Sequence, residues 1–112
     1  MSDFAVLYST FGTDESARAA ATTLVEEQLL ACANLYPGVT SIYRWKGETQ
    51  ADNEVVLIGK TRSDLASRAM ARLKELHPYE VPCITSWSLD ACDLDYAAWI
   101  CAAGPAAAPP VS

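Results

Sequence analysis

Apolar and polar positions along the chain divide it into seven elements, in the order βαββαβα. The apolar, β-favouring run from Phe4 to Thr10 predicts a first strand. Thr13 can cap the helix that follows, and apolar residues then recur at helical spacing as far as Ala31. The chain is therefore expected to begin with a strand and a long helix.

The middle of the chain carries the pattern of a hairpin. Pro37-Gly38 predicts a turn after the first helix. Val39 to Trp45 and Glu48 to Thr61 have the composition of two strands, joined by Lys46-Gly47. A two-residue connection with glycine in second place is typical of a tight turn between antiparallel strands. We therefore expect these two strands to pair directly.

A second helix, a fourth strand and a short last helix complete the pattern. Thr61 begins a T-x-x-D capping motif, and an apolar stripe continues from there to Leu76. Pro78 prevents this helix from continuing. Val81 to Leu89 then predicts a strand, and Asp93 to Ile100 predicts a short helix.

This order of elements predicts an α+β fold. It corresponds to the split βαβ arrangement, an antiparallel four-stranded sheet with both long helices on one face, here with a short C-terminal helix added. Residues 1–102 are expected to form this single domain, and the Ala- and Pro-rich residues 103–112 to form a loose tail. The second face of the sheet is left uncovered, which is typical of a subunit interface.

The predicted hairpin is longer than the helix that would cover it. Glu48 to Thr61 would span about 46 Å if fully extended, at ~3.3 Å per residue. The helix from Asp14 to Ala31 would span about 27 Å, at ~1.5 Å per residue. We therefore expect the protruding arm to pair with another subunit rather than to remain an exposed edge.

Charge and composition argue against several kinds of partner. The 112 residues suffice for one domain, and their net charge of −6 disfavours nucleic acid, whose phosphates attract basic surfaces. No apolar run is long enough to span a bilayer, and no Lys or Arg precedes the first apolar stretch as in a signal peptide. We expect a cytoplasmic protein that binds neither nucleic acid nor membrane.

The four cysteines are expected to be free thiols. Cys32, Cys83, Cys92 and Cys101 include no C-x-x-C pair, so neither a zinc ribbon nor a thioredoxin-type motif is indicated. A cytoplasmic chain with an adequate core also has little need of disulfides.

Two dense segments and several single residues match the motifs of a known family. They are Ala31-Cys32-Ala33-Asn34, Pro37-Gly38-Val39-Thr40-Ser41-Ile42-Tyr43, Trp45, Gly47-Glu48, Lys60-Thr61 and His77-Pro78-Tyr79-Glu80-Val81-Pro82. Together they resemble the CutA family of divalent-cation tolerance proteins, from Phe4 to about Ile100. The resemblance implies a ferredoxin-like fold, a homotrimer, an architecture similar to the PII signalling proteins, and a role connected with copper and other divalent metals.

Carried over to this chain, the resemblance places a candidate metal site on Cys32 and His77. Thiolate and imidazole are both good ligands for copper. Structural roles are the alternative for both residues. His77 would then bond the last carbonyls of the second helix, and Cys32 would belong to the core.

A second candidate site is an intersubunit cleft around Trp45, Lys60, Tyr79 and Glu80, which would hold a small anion or a metal complex. The alternative is that the aromatic side chains only pack at the interface. Lys60 would in that case form an ordinary surface ion pair.

Three functions are compatible with these residues, and we expect the first of them. It is a trimeric divalent-metal (copper) binding protein that takes part in metal-ion tolerance or response. The alternative is a PII-like sensor that binds a small effector between subunits, although the chain has no glycine-rich phosphate loop. An enzyme with Cys32 as nucleophile and His77 as base lacks a recognisable third member, so no catalytic activity is expected.

Overall fold

A computed structural model describes residues 3–106 and contains all seven predicted elements. They are β1 (Phe4–Phe11), α1 (Asp14–Glu26), β2 (Cys32–Trp45), β3 (Glu48–Arg62), α2 (Ser63–Leu76), β4 (Ile84–Ser88) and α3 (Leu94–Ala103). The strands form one antiparallel sheet in the order β2-β3-β1-β4. The predicted α+β, ferredoxin-like arrangement is confirmed.

The core lies between the sheet and the two long helices. Alternate residues of β1 and β3 face these helices, because successive side chains of a strand point to opposite faces. The buried cluster combines strand residues with small and branched residues of α1 and α2, namely Leu7, Phe11, Ala17, Ala20, Ala21, Leu24, Leu30, Val55, Leu57, Ala69 and Leu73. The many alanines of α1 allow the helix to approach the sheet closely.

The junction between α1 and β2 differs from the sequence prediction. The helix ends at Glu26, because Gln28 adopts a positive φ of 61° and the amides of Leu29 and Leu30 both bond the carbonyl of Leu24. β2 then begins at Cys32 rather than at Val39. The apolar residues up to Ala31 therefore belong partly to a helix end and a connection.

The predicted turn at Pro37-Gly38 is instead a bulge inside β2. The pairing register with β3 shifts between Tyr36 and Val39, and Gly38 has a φ of +75°. Proline is tolerated there because β2 is an edge strand, so its missing N–H removes no ladder bond to a second neighbour. The bulge bends the strand and gives the hairpin its curvature.

The start of α2 also differs from the prediction. Thr61 is a buried residue of β3 that pairs with Ala5, so it does not cap the helix. Arg62 occupies the N-cap position without a side-chain cap, and its guanidinium contacts Asp64 in the first turn at 2.9 Å. Continued pairing of β3 with β1 holds both residues in the sheet.

The last strand is shorter and the last helix longer than predicted. β4 spans Ile84–Ser88 rather than residues 81–89. Asp93 caps α3, accepting from the Tyr96 amide at 3.1 Å, and the helix continues to Ala103. Arg62 donates to the Pro105 carbonyl. Most of the predicted tail, residues 107–112, lies outside the described residues.

The sheet face opposite α1 and α2 is covered at one end. Ile100 of α3 is buried, and Tyr96 of the same helix contacts Cys32 at the start of β2. The rest of this face, which includes the outer part of the hairpin, carries exposed aromatic side chains. We call this uncovered part the open face. With its hairpin arm, the molecule measures 51 × 26 × 25 Å.

Candidate functional site

A cavity of about 650 Å³ lies on the open face, between the hairpin arm, β1 and the segment before β4. We call it the hairpin cavity. Its lining combines aromatic, acidic and small polar side chains, namely Tyr8, Thr10, Ser41, Tyr43, Trp45, Asp52, Glu54, Tyr79, Glu80, Val81 and Cys83. None of these lining residues is Lys, Arg or His. The cavity is therefore an aromatic and acidic site.

Strand alternation and the hairpin register assemble this lining. Ser41, Tyr43 and Trp45 are alternate residues of β2, so their side chains lie on one face. Ser41 pairs with Asp52 across the hairpin. The turn that fixes this register has positive φ angles at both Lys46 and Gly47, 50° and 80°, as a tight type I′ turn requires.

Two phenols orient two of the carboxylates. Tyr79 Oη donates to Glu54 Oε2 at 2.9 Å, and Tyr43 Oη donates to Asp52. Burial, followed by the hydrogen bond to Glu54, raises the pKa of Tyr79 to about 12. The hydrogen bond to Asp52 raises the pKa of Tyr43. Both phenols therefore stay protonated donors at neutral pH, and each is directed at a carboxylate of the cavity.

Three of the four predicted cleft residues come together here. Trp45, Tyr79 and Glu80 all line the hairpin cavity, whereas Lys60 does not. Lys60 pairs with Cys32 near the other end of the sheet, where its Nζ lies 5.9 Å from the centre of the Tyr96 ring. An anion site that depends on Lys60 is therefore not assembled in the cavity of a single chain.

His77 is a buried side chain with both ring nitrogens in use. Nε2 lies 2.8 Å from the Thr10 carbonyl oxygen, which can only accept, so Nε2 carries the proton. Nδ1 accepts from the Tyr79 amide at 3.1 Å. The ring also stacks on Phe11, with centroids 4.1 Å apart. His77 thus connects the end of α2 to β1 through a hydrogen bond to Thr10. It does not bond the last carbonyls of its own helix, which was the structural role considered from the sequence.

The surroundings of His77 favour the neutral imidazole. Burial lowers the pKa of His77, opposed by the hydrogen bond to the Thr10 carbonyl and by the charge of Glu54. No lone pair of the ring is left over for a metal ion in this arrangement. Metal binding through His77 would require the hydrogen bond from Tyr79 to be broken.

Cys32 lies in a different environment, under α3. Its Sγ is 3.3 Å from the Tyr96 hydroxyl, and the thiol is half-buried. This hydrogen bond, followed by burial, raises the pKa of Tyr96 to about 12. The thiol therefore faces a protonated phenol that lies 64 residues away in the sequence.

The fold separates Cys32 from His77 within one chain. Cys32 pairs with Lys60, which pairs with Val6, while His77 bonds the carbonyl of Thr10. Thr10 is four residues from Val6, or about 13 Å along β1, and Cys32 is two strands away, or about 10 Å across the sheet. One ion, which lies ~2 Å from each ligand, cannot contact both. Among residues 3–106, no cluster of three or more His, Cys, Asp or Glu side chains is arranged to hold a metal ion.

Comparison with known proteins identifies the family. The family model described as CutA1 divalent ion tolerance protein matches residues 5–103. The chain belongs to the CutA1 family. The predicted resemblance is thereby confirmed.

Relatives of the CutA1 family are similar over most of their length. The divalent-cation tolerance protein CutA of Thermus thermophilus is 42% identical over 85% of this chain and 92% of its own. The protein of the same name from Pyrococcus horikoshii is 43% identical over the same shares. The crystal structure of CutA1 from Oryza sativa superposes with a TM-score of 0.90 at 31% identity, covering 95% of this chain and 97% of that one.

Several cavity and contact residues were not indicated by the sequence. Strand register brings three of them into the cavity, namely Tyr8, Asp52 and Glu54. The position of Asp52 could have been predicted, because the two-residue Lys46-Gly47 turn sets its pairing with Ser41. No sequence signal connects Tyr96 with Cys32, because the contact depends on where α3 lies.

Within residues 3–106, no helix is both long and apolar enough to cross a bilayer.

Proposed function

We propose that this protein is a homotrimer that binds divalent metal ions, copper among them, and acts in metal-ion tolerance. Membership of the CutA1 family supports the connection with divalent cations, since relatives are named as divalent-cation tolerance proteins. Those names describe tolerance proteins and not enzymes, and we include the absence of catalysis in the proposal. A cytoplasmic location without nucleic-acid or membrane partners also remains part of it.

The open face is the main support for an oligomer. Trp45 is 57% exposed and Tyr43 is 42% exposed, and both lie on the arm of the hairpin. Large aromatic side chains at these exposures favour burial against a partner. The arm also extends beyond the layer of long helices, since the molecule is 51 Å long and about half as wide.

Cys32 is the more available of the two predicted metal ligands. Its thiol is half-buried and contacts one hydroxyl, whereas both nitrogens of His77 are engaged. A trimer offers three such thiols, and soft thiolate ligands favour copper(I) and zinc among the common metals. If one ion is bound by Cys32 and His77 together, the two must come from different subunits.

Metal titration of the purified assembly tests this proposal. We expect copper(I), added under reducing and anaerobic conditions, and the divalent ion zinc(II), which thiolates also bind, to associate with the native protein at a fixed stoichiometry per trimer. Cys32→Ser should reduce that stoichiometry, because a hydroxyl is a much poorer ligand for copper(I) than a thiolate. His77→Phe should retain binding if the histidine is structural and lose it if the two residues share an ion.

A triple variant with Cys83, Cys92 and Cys101 replaced by Ser is the matched control. All three thiols can bind soft metal nonspecifically, and Cys92 is the one near the Cys32 contact, since its charge helps to raise the pKa of Tyr96. Copper lost in the triple variant but kept in Cys32→Ser would contradict the proposed site. Sedimentation equilibrium, measured in parallel, tests the oligomeric state independently of metal binding. A protein that is mainly monomeric at micromolar concentration would contradict the proposed trimer, whatever the result of the metal titration.

The PII-like alternative gains no support from the family comparison. The relatives reported above are named as CutA proteins.

A further inference from the structure

A group of reactive side chains lies where α3 covers the sheet, at the end away from the hairpin arm. Cys32 begins β2, and its Sγ is 3.3 Å from the hydroxyl of Tyr96 in the first turn of α3. Cys92 directly precedes that helix and its cap. We propose that Cys32 and Cys92 form a redox pair, which a small disulfide such as oxidised glutathione converts to a reversible disulfide within one chain.

The cap of α3 holds Cys92 at the same end of the helix as Tyr96. The Asp93 carboxylate accepts from the Tyr96 amide at 3.1 Å, and the Asp93 carbonyl accepts from the Ala97 amide at 2.8 Å. Cys92 is the residue before this cap and is half-buried, as Cys32 is. The hydrogen bond to Cys32, then burial, and then charge on both thiols raise the pKa of Tyr96 to about 12. Both thiols therefore lie near one phenol hydroxyl.

The segment that carries Cys92 is anchored at its two ends. The Leu89 amide donates to the Phe4 carbonyl at 3.0 Å, and Asp93 caps α3. Residues 90–92 between these anchors belong to neither a helix nor a strand. A disulfide requires Cα atoms within about 7 Å of each other. A segment without helical or ladder hydrogen bonds can adjust to this requirement at a lower cost than an element of the sheet.

The other two thiols are not placed for this reaction. Cys83 is exposed and lines the hairpin cavity. Cys101 is exposed on α3, five residues beyond Tyr96. That spacing puts it about 7.5 Å along the helix and about 140° around it, at ~1.5 Å and ~100° per residue. Cys92 is therefore the partner that the fold offers to Cys32.

Lys60 adds positive charge beside Cys32. The two residues are directly opposite each other in the β2–β3 ladder, so their side chains share one face, with Cβ atoms about 4.5–5.5 Å apart. The Nζ of Lys60 also lies 5.9 Å from the centre of the Tyr96 ring. Negative charge resides on sulfur during thiol–disulfide exchange, and an ammonium group and a phenol O–H both stabilise it there. Cys32 is therefore the thiol that we expect to react first.

The exchange takes place in two balanced steps. The Cys32 thiolate first attacks one sulfur of oxidised glutathione, forms a mixed disulfide and releases one glutathione thiolate. The Cys92 thiolate then attacks the sulfur of Cys32, forms the Cys32–Cys92 bond and releases the second glutathione thiolate. The two protons of the protein thiols end on the released glutathione molecules, and the two electrons reduce the original glutathione disulfide.

Oxidation would also remove both thiols as ligands for a soft metal, because the thiolate is the form that binds it. The pair would thus connect the metal site proposed above with the thiol–disulfide balance around the protein. This consequence alone rests on the proposed function, since the disulfide itself is measured without metal.

Exchange with glutathione tests the pair in the assembled full chain. A Cys83→Ser, Cys101→Ser double variant retains only the two proposed thiols and is the reference protein. Metal-free and anaerobic, it should lose two hydrogen atoms in intact mass and remain a single chain on a non-reducing denaturing gel. After unfolding in urea, half conversion should require a ratio of oxidised to reduced glutathione at least about tenfold higher, because the fold brings the thiols together.

Further substitutions in this reference protein assign the two steps. Cys92→Ser should accumulate one glutathionyl group on Cys32, because the second thiol is absent. Cys32→Ser should leave Cys92 reacting about fivefold or more slowly than Cys32 does, since Lys60 lies beside the other sulfur. Lys60→Gln, combined with Cys92→Ser, should slow the first step about threefold or more. Lys74→Gln, in the last turn of α2, is the matched control and should leave that rate unchanged.

Three results would overturn the proposal. Conversion as easy in urea as in the folded protein would show that the fold does not bring the thiols together. A mixed disulfide that persists on Cys32 in the presence of Cys92 would exclude Cys92 as its partner. Disulfide-linked dimers in place of oxidised single chains would assign the reacting thiols to a contact between subunits. Trimer formation and metal stoichiometry are measured on the reduced protein, so their failure would leave these results unaffected.

Discussion

His77 illustrates how one side chain can connect three elements. It follows α2, its Nε2–H donates to β1 through the Thr10 carbonyl, and its Nδ1 accepts from the amide of Tyr79. Tyr79 in turn donates to Glu54 in the wall of the hairpin cavity. Correct placement of the histidine thus positions part of the candidate site without direct contact with a ligand.

The stability of the protein should depend on the protonation of this histidine. Burial lowers the pKa of His77 in the folded state from its ordinary value of 6.5. The unfolded chain takes up the proton first as the pH falls, so the free energy of unfolding should be constant above roughly pH 6.5 and decrease below it. Urea unfolding at fixed protein concentration, between pH 7.5 and 5.5, measures this dependence.

His77→Phe is the informative variant, because it retains a ring against Phe11 and removes both hydrogen bonds. We expect it to cost about 1–3 kcal/mol at neutral pH, since the Thr10 carbonyl loses its partner. It should also remove the loss of stability just below pH 6.5, since His77 is the single histidine of the chain. An equal pH dependence in the variant would assign the effect to other groups.

At the residue scale, the sequence indicated several residues that line the cavity, but not which side chains lie beside one another in the fold. Trp45, Tyr79 and Glu80 were expected in one cleft and all line the cavity. Lys60 was expected with them in a cleft between subunits, and within one chain it belongs to the part of β3 that pairs with Cys32. Spacing along a strand predicts which face a side chain occupies, whereas its distance from a loop residue depends on the three-dimensional path of the chain.

The β2–β3 hairpin is the element that gives the site its shape. Its two-residue turn places Lys46 at a φ of 50°, in the left-handed region. Lysine has no special tolerance of that region, whereas Asn-Gly is the pair most typical of type I′ turns. The hairpin therefore retains a small local strain at its tip.

Lys46→Asn should relieve this strain and stabilise the protein by about 0.5–1 kcal/mol. Lys46→Ala is the matched control, because it removes the same charge without favouring a positive φ. The urea midpoints of both variants, compared with the native protein at one concentration, provide the measurement. A Lys46→Ala protein as stable as Lys46→Asn would indicate that charge, and not backbone conformation, is responsible.

At the element scale, the sequence predicted the order of elements but displaced several boundaries. The apolar positions of α1 continue into residues of the connection and of β2, and periodicity alone does not separate them. Pro37-Gly38 is a common turn signal, yet here it forms a bulge because the long strand β3 continues to pair on both sides of it. Thr61 likewise resembles a helix cap by spacing but remains in the sheet.

At the scale of the whole molecule, helices cover one face of the sheet and α3 covers one end of the other. The split βαβ order predicts the first layer, because each crossover helix returns over the same face. The position of α3 follows from tertiary contacts such as Ile100 and Tyr96, which a short apolar helix does not encode in its spacing. The hairpin arm, with its aromatic side chains, lies on the uncovered part of that face.

Trp45 should therefore contribute strongly to assembly. Replacing it with Ala removes a large aromatic surface from the arm, and truncation of a central aromatic in an interface commonly costs about 2 kcal/mol or more. The concentration at which the proposed trimer dissociates should then rise at least about tenfold. Sedimentation equilibrium over a dilution series measures this change, and melting at fixed concentration should show a lower midpoint because dissociation and unfolding are linked.

Trp99→Ala is the matched control for this experiment. Trp99 is 50% exposed, close to the 57% of Trp45, but it lies on α3, where it stacks on Tyr96 with ring centroids 5.7 Å apart. Its loss should leave the dissociation of the trimer nearly unchanged, because α3 covers the other end of the sheet from the hairpin tip. An equal effect of the two substitutions would place the subunit contact on α3, and an unchanged trimer in Trp45→Ala would exclude the arm from the interface.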